Sequence, residues 1–318
     1  MSELAVLESG YRWMNLARTV EAKLRSAYTQ GRLRGRFLSG RGQEAIPVGA
    51  TLCVEDTDYL APVHRDLGAH LVRGTTPLTI FRHYLGRDTG PSHGRDGDLH
   101  MGEWSRRVFP MVSHLPDSWP VMTGVALSAK LRGEPHLAMV FCGDGATSTG
   151  AWHEAVNFAA VQSLPMVLVV EDNQYAYSTP TSSQYRCHHL VDRCHSYGID
   201  GYEVDGNDVE AVHEVVSKAV ASVRSGAGPV LVVAETLRME GHAFHDAAAY
   251  VPASLKEEWA ERDPLVLAAA RLREHGWDDA RFAELQEQQT AEVREAWAQA
   301  ESEPLPPAED VTRGVYAA

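Results

Sequence analysis

The sequence is poor in the features that mark several large classes of protein. Its 318 residues include four cysteines, Cys53, Cys142, Cys187 and Cys194, and no C-x-x-C pair. So few thiols cannot staple a chain of this length, and free thiols are expected. No apolar run reaches 18 residues, so no membrane-spanning helix is expected. Residues 1–20 carry Glu3, Glu8, Arg12 and Arg18 where a secretion signal would have an apolar centre. Basic residues are outnumbered 29 to 43, the formal net charge is −14, and no Lys/Arg block occurs. Nucleic acid is therefore not an expected partner, and a soluble protein of the cytoplasm is the expectation. Internal repeats and low-complexity blocks are missing too. Cys187-His188-His189 and Cys194-His195 invite a zinc reading. Positions seven apart on a helix lie about two turns, or roughly 10 Å, from one another. One zinc does not span that easily, and a surface or interface helix is the better reading.

What is present is a regular alternation of apolar strands and amphipathic helices. Strands are expected over residues 137–142, 166–170, 199–204 and 229–234. Helices are expected over about 150–162, 184–196 and 208–224. Such alternation predicts an α/β fold, a parallel sheet flanked by helices on both faces. An amphipathic helix over 11–30, a second beginning within 43–53 and a third over 124–131 precede it. Two helices, 254–274 and 279–300, form a helical C-terminal tail. One α/β domain over 1–318 is expected, with an N-terminal helical extension (1–40) and the tail (253–318) attached.

Gly143-Asp144-Gly145 closes the first of these strands, and Asn173 follows Asp144 by 29 residues, just past the second. A carboxylate and an amide at neighbouring strand ends face one crevice at the carboxyl edge of the sheet, where open α/β folds bind ligands. Both offer the hard oxygens that magnesium takes when it bridges to phosphate. A tight turn alone could also demand these glycines. A dinucleotide fingerprint would need Gly at 148, which is Ser.

The stretch from Gly143 to Thr179, GDGATSTGAWHEAVNFAAVQSLPMVLVVEDNQYAYST, resembles the α subunit of the thiamine-diphosphate-dependent 2-oxo acid dehydrogenases. These are the decarboxylating first components of the pyruvate, branched-chain and acetoin complexes. The resemblance extends from about Gly40 to about Pro252. It implies the thiamine-diphosphate-binding fold, with Mg2+ held by Asp144, Asn173 and the Tyr175 carbonyl. It places Arg65 and Arg238 at the diphosphate, with His64 beside Arg65 where the family has tyrosine, and Gly145 and Ala146, expected to open the helix after strand 137–142, offer phosphate their unpaired N–H groups. Ser113 and Leu115 fall under the cofactor, where a bulky aliphatic residue props the thiazolium ring. His242, in the loop Gly241-His242-Ala243, is the implied catalytic histidine and also binds cofactor; its imidazole is expected near its ordinary pKa. His100 is a neighbour of substrate or cofactor.

Asp172 stands where the family's first Asn of an Asn-Asn pair is usual, and Ala243 where mitochondrial relatives carry a phosphorylated serine. The glutamate that activates thiamine belongs in that family to a β subunit. An α2β2 assembly is therefore implied, along with a lipoyl-bearing acyltransferase or another acyl acceptor. A transketolase-like carbon transferase is the competing enzyme reading; the flank after Gly145 and the Gly-His loop speak against it. A cofactor-free scaffold is the other alternative, against which Asp144, Asn173, Arg65 and Arg238 all stand. The segment from Arg238 to about Tyr250 carries few apolar residues and is expected to order over the diphosphate.

Overall fold

A computed structural model describes residues 1–33 and 35–313. The last five residues of the expected tail lie outside them. In chain order the elements are α1 (Glu3–Thr29), α2 (Ala45–Thr51), β1 (Tyr59–Ala61), α3 (Leu67–Val72), α4 (Pro77–Tyr84), α5 (Ser118–Arg132), β2 (Ala138–Gly143), α6 (Gly150–Val161), β3 (Met166–Asp172), a two-strand hairpin β4 (Tyr175–Ala176) and β5 (Thr179–Pro180), α7 (Cys194–Tyr197), β6 (Asp200–Asp205), α8 (Val209–Arg224), β7 (Val230–Glu235), α9 (Ala253–Ala260), α10 (Pro264–Glu274) and α11 (Asp279–Ser302). The main sheet runs β1-β2-β3-β7-β6 and is parallel throughout.

Successive residues of a strand point to opposite faces, and both faces here are buried, which is why β2, β3 and β7 read as unbroken apolar runs. Leu168 and Val170 of β3 face Trp119, Met122 and Ala126 of α5 and Trp152, Val156 and Ala159 of α6. Val167 and Val169 face Ile46 and Ala50 of α2 and Val212, Val216 and Val223 of α8. Outside that second layer, α1 packs Leu7 and Met14 against Ala45, Val48 and Val209. It also packs Leu16, Val20 and Leu24 among Ile80, Phe81, Val293 and Trp297 of α4 and α11.

Helix starts follow side-chain caps. Thr149 Oγ1 accepts from Trp152 N ahead of α6, Asp208 caps α8, and Thr76 caps α4 with Pro77 in its first turn.

The structure departs from the expected elements in three places. The helix expected over 184–196 is a 3-10 turn at Leu190–Arg193 running into the short α7. Gln184 and Tyr185 instead bond to buried carboxylates, and those tertiary bonds outweigh local helix preference. The helix expected over 254–274 is two, because Pro264 has no N–H to continue α9 and opens α10 behind its Asp263 cap. α1 begins at Glu3 and α5 at Ser118, both ahead of expectation, while β1, α3 and α4 are too short to show in the pattern.

Candidate active site

Asp144 leaves the end of β2 and opens a 3-10 turn, Asp144–Ser148. Asn173 leaves the end of β3. Both are buried, 1% and 5% exposed. Asp144 Oδ2 accepts from Gln184 Nε2 at 2.6 Å. Burial, and then the negative charge of Asp172, push the Asp144 carboxyl up to about 6. Asn173 Nδ2 donates to Gln43 Oε1 at 3.3 Å, while Asn173 Oδ1 is buried without any partner. An orphaned amide oxygen of this kind costs about 1–3 kcal/mol. A divalent cation removes that cost, and a carboxylate beside it is the counter-charge such an ion needs.

The hairpin β4–β5 lies against the Asp144 turn so closely that a Cβ on Gly145 would stand 2.5 Å from Ala176 Cβ. This brings the Tyr175 carbonyl to the same place. It accepts from Arg238 Nη1 at 2.7 Å, and its second lone pair stays available. The residues present thus fit the expected cation. Among the described residues no three His, Cys, Asp or Glu side chains gather as a metal cluster. The donors here would be one carboxylate, one amide and one main-chain carbonyl.

Gly145 and Ala146 were expected to open the helix after β2. They open the 3-10 turn instead, and α6 starts later, at Gly150, under its own Thr149 cap. Their N–H groups stand at the start of that turn, where the first donors have no partner within the helix.

Two arginines form the other half of the site. Arg238, just past β7 and 2% exposed, donates to the carbonyls of Tyr175, Tyr177 and Glu240 and to the Tyr250 hydroxyl. Arg65, between β1 and α3 and 6% exposed, donates through Nη2 to the His242 carbonyl at 2.6 Å and through Nη1 to His64 Nε2; its Nε has no partner. Neither guanidinium forms a salt bridge with a carboxylate among the described residues. Burial, and then the charge of Arg238, pull Arg65 down to about 10. A pair of buried cations with neutral partners is unfavourable by itself, and a multiply charged anion between them offsets the cost.

His242 is half-buried, with its ring 4.5 Å from that of Tyr177. Burial, Arg65 and Arg238 push the imidazole down to about 4. The expectation of an unperturbed histidine is thus corrected, because the two arginines that suit the anion also expel the proton. His242 is a neutral ring at pH 7, with one donor and one acceptor nitrogen. His64 is driven down by burial, Arg65 and His242 in the same way.

The segment after Arg238 is also better tied than its composition suggests. Asp246 accepts from His242 N, Ala248 N and the Tyr250 hydroxyl. A Cβ on Gly241 would stand 1.9 Å from the Asp246 carbonyl oxygen. Ala248 of the segment packs with Leu237, Val251, Tyr175 and Trp259, a small core drawn mostly from outside it.

From His242 a cavity of about 1160 Å³ runs outward past His64, Leu115, Ser113, His100 and Asp98. Ser113 Oγ lies 2.9 Å from His100 Nε2, and His100 Nδ1 lies 3.0 Å from Asp96 Oδ1. The expected residues therefore fall in two groups. Asp144, Asn173, Tyr175 and Arg238 form a buried group, the deep end of the site, that does not itself line the cavity; His64, Ser113, Leu115 and His242 line it, and Arg65 touches that lining through the His242 carbonyl.

Residues 11–309 match the family model described as the dehydrogenase E1 component. The chain belongs to this family. It is similar to the α subunit of an acetoin:2,6-dichlorophenolindophenol oxidoreductase of Cupriavidus necator, 32% identical over 96% of this chain and 92% of that one. It is similar also to a 3-methyl-2-oxobutanoate dehydrogenase α subunit of Mycobacterium tuberculosis, at 35% over 89% and 74%. A 2-oxoisovalerate dehydrogenase α subunit of Bacillus subtilis is 32% identical over 96% and 94%.

In this E1 chain several residues near the site escaped sequence reasoning: Gln43, Asp66, Glu171, Gln184 and Tyr250. One signal was available. Glu171 ends an otherwise apolar buried strand, a position where a carboxylate needs a partner.

Proposed function

We propose that the chain is the α subunit of a thiamine-diphosphate-dependent 2-oxo acid dehydrogenase, carrying out oxidative decarboxylation and passing the acyl unit to a lipoyl group or another acceptor. The observation that carries this reading is the meeting, at the carboxyl ends of β1, β2, β3 and β7, of two buried guanidiniums, neither in a salt bridge among the described residues, with a carboxylate and an orphaned amide oxygen. That arrangement suits a diphosphate bridged by a divalent cation.

Asp144, Asn173 and the Tyr175 carbonyl would hold Mg2+. Arg65, Arg238 and the N–H groups of Gly145 and Ala146 would hold the phosphates. Thiamine diphosphate supplies, when bound, a nucleophilic carbon and an electron sink for loss of the substrate carboxylate. Leu115 would pack against its rings, and neutral His242 would offer one hydrogen-bond donor and one acceptor from the cavity lining. His64 and Ser113 face the same space.

A β subunit in an α2β2 assembly would complete the site. Among the described residues no glutamate lines the cavity, and the activating glutamate would come from that β subunit. Val121 and Leu131 of α5 and Phe158 and Val161 of α6 are exposed on neighbouring helices, an apolar surface of the kind a partner covers.

The test is reconstitution of the chain with its β partner, thiamine diphosphate and Mg2+. Pyruvate, branched 2-oxo acids and acetoin are offered with an artificial electron acceptor. Turnover of a 2-oxo acid is expected only with both chains present, and chelation should abolish cofactor binding in calorimetry. Equal turnover by the lone chain, or cofactor affinity indifferent to chelator, overturns the proposal.

A further inference from the structure

Asn173 differs from the other cation ligands named above, because its oxygen is a ligand and its nitrogen is not, so the amide must face one way. Its facing can be traced from Glu171, which is 1% exposed at the end of β3.

Glu171 Oε2 accepts from Gln43 Nε2 at 2.8 Å. Gln43, itself without exposure, is turned so that its Oε1 accepts from Asn173 Nδ2. The opposite edge of the Asn173 amide is Oδ1, buried and without a partner.

Resting on the functional reading above, we propose that Gln43 and Glu171 are positioning residues. They lock the Asn173 amide with its oxygen, and never its nitrogen, toward a divalent cation. Reversal of the amides would set two acceptors face to face in a buried place.

The test reads cation binding without turnover. Mn2+ is titrated into the chain assembled with its β partner at saturating thiamine diphosphate, and free ion is followed by electron paramagnetic resonance. Gln43→Leu and Glu171→Leu are each expected to weaken Mn2+ binding by about 10- to 100-fold, the usual cost of removing an outer partner. Glu171→Gln keeps an acceptor for Gln43, and it should bind like wild type. In an Asn173→Asp background both edges of the side chain are oxygen, so adding Gln43→Leu should cause no further loss. Wild-type affinity in both leucine variants, or an undiminished Gln43→Leu loss in the Asn173→Asp background, overturns the relay. Should Gln43→Leu fail to assemble, the contrast between Glu171→Gln and Glu171→Leu decides alone. A wild-type complex that takes up no Mn2+ overturns the functional reading itself, and the relay with it.

Discussion

The deep end of the site and the mouth of its cavity are built from different materials. At the deep end Asp144, Asn173, Arg65 and Arg238 sit on strand ends or the turns next to them, all at most 6% exposed. Their polar groups are fixed by main-chain carbonyls and by other buried side chains. At the mouth Ser113, His100 and Asp96 belong to loops between α4 and α5, and their mutual bonds are reached by water. Charges kept dry are worth far more to a ligand than the same charges in solvent. The deep end can therefore bind a fixed group tightly, and the mouth can vary what it admits.

The sharpest test of that contrast is Asp144→Ala. Cofactor affinity in the complex should fall by more than the roughly 100-fold that loss of an outer partner can cost. Thermal stability without cofactor should not fall, since the variant removes a carboxylate whose burial opposes ionisation. Calorimetry and a melting curve on one sample check both. A variant that is destabilised yet binds cofactor normally would mean the residue serves the fold and not the cation.

A second test sits one layer behind the deep end. Glu21 of α1 is buried and accepts from Ser39 Oγ and Gly40 N, clasping the loop that leads to Gln43. Burial, with Glu44 and Glu240 nearby, pushes its carboxyl up to about 7 from an ordinary 4.5. Between those two values the folded chain holds a proton that the unfolded chain has released. The stability tied to Glu21 is therefore present at low pH and is lost as pH rises through this window. Glu21→Gln cannot ionise and should lack that loss, gaining roughly 3 kcal/mol on wild type between about pH 4 and about pH 8. Asp66 and Asp98 carry similar shifts, so only the difference between the two denaturation profiles is diagnostic. Parallel profiles would show that Glu21 does not titrate there.

Sequence and structure agree best where burial alone shapes the chain. β2, β3, β6, β7, α6, α8 and α11 fall within about two residues of their expected bounds, because an apolar run or a 3.6-residue period needs no distant partner. The Asp144 and Asn173 positions were legible for the same reason, as they end two such strands. What stayed hidden depends on residues far apart in sequence. Gln43, Asp66 and Glu171 meet only after α2, α3 and β3 have packed. The lowered pKa of His242 comes from burial and then from Arg65, whose guanidinium reaches its carbonyl across 177 positions. Gln184 and Tyr185 read as helix until the carboxylates they bind are seen.

The smallest effect is expected at the mouth, from Asp96→Asn. Asp96 Oδ1 accepts from Gly97 N at 2.7 Å and holds His100 Nδ1 at 3.0 Å, but its side chain is 53% exposed. An asparagine oxygen can accept both bonds in the same shape, so only the charge is removed. Exposed charge interactions contribute about 0.2–1 kcal/mol, and the stability change should stay inside that range. His100 Nδ1 donates to this group, which leaves Nε2 to accept from the Ser113 hydroxyl. Weakening the first bond loosens that orientation, and kcat/KM should fall by a factor of about 2 to 5, the rate equivalent of an interaction of this size. Thiamine diphosphate affinity should not change, because nothing in the Asp96–His100–Ser113 chain reaches Asp144, Asn173 or Arg238. Steady-state kinetics beside a cofactor titration separate the two readouts. A tenfold loss of cofactor affinity in Asp96→Asn would erase the division between the two ends, since an exposed loop carboxylate would then be governing a buried diphosphate site.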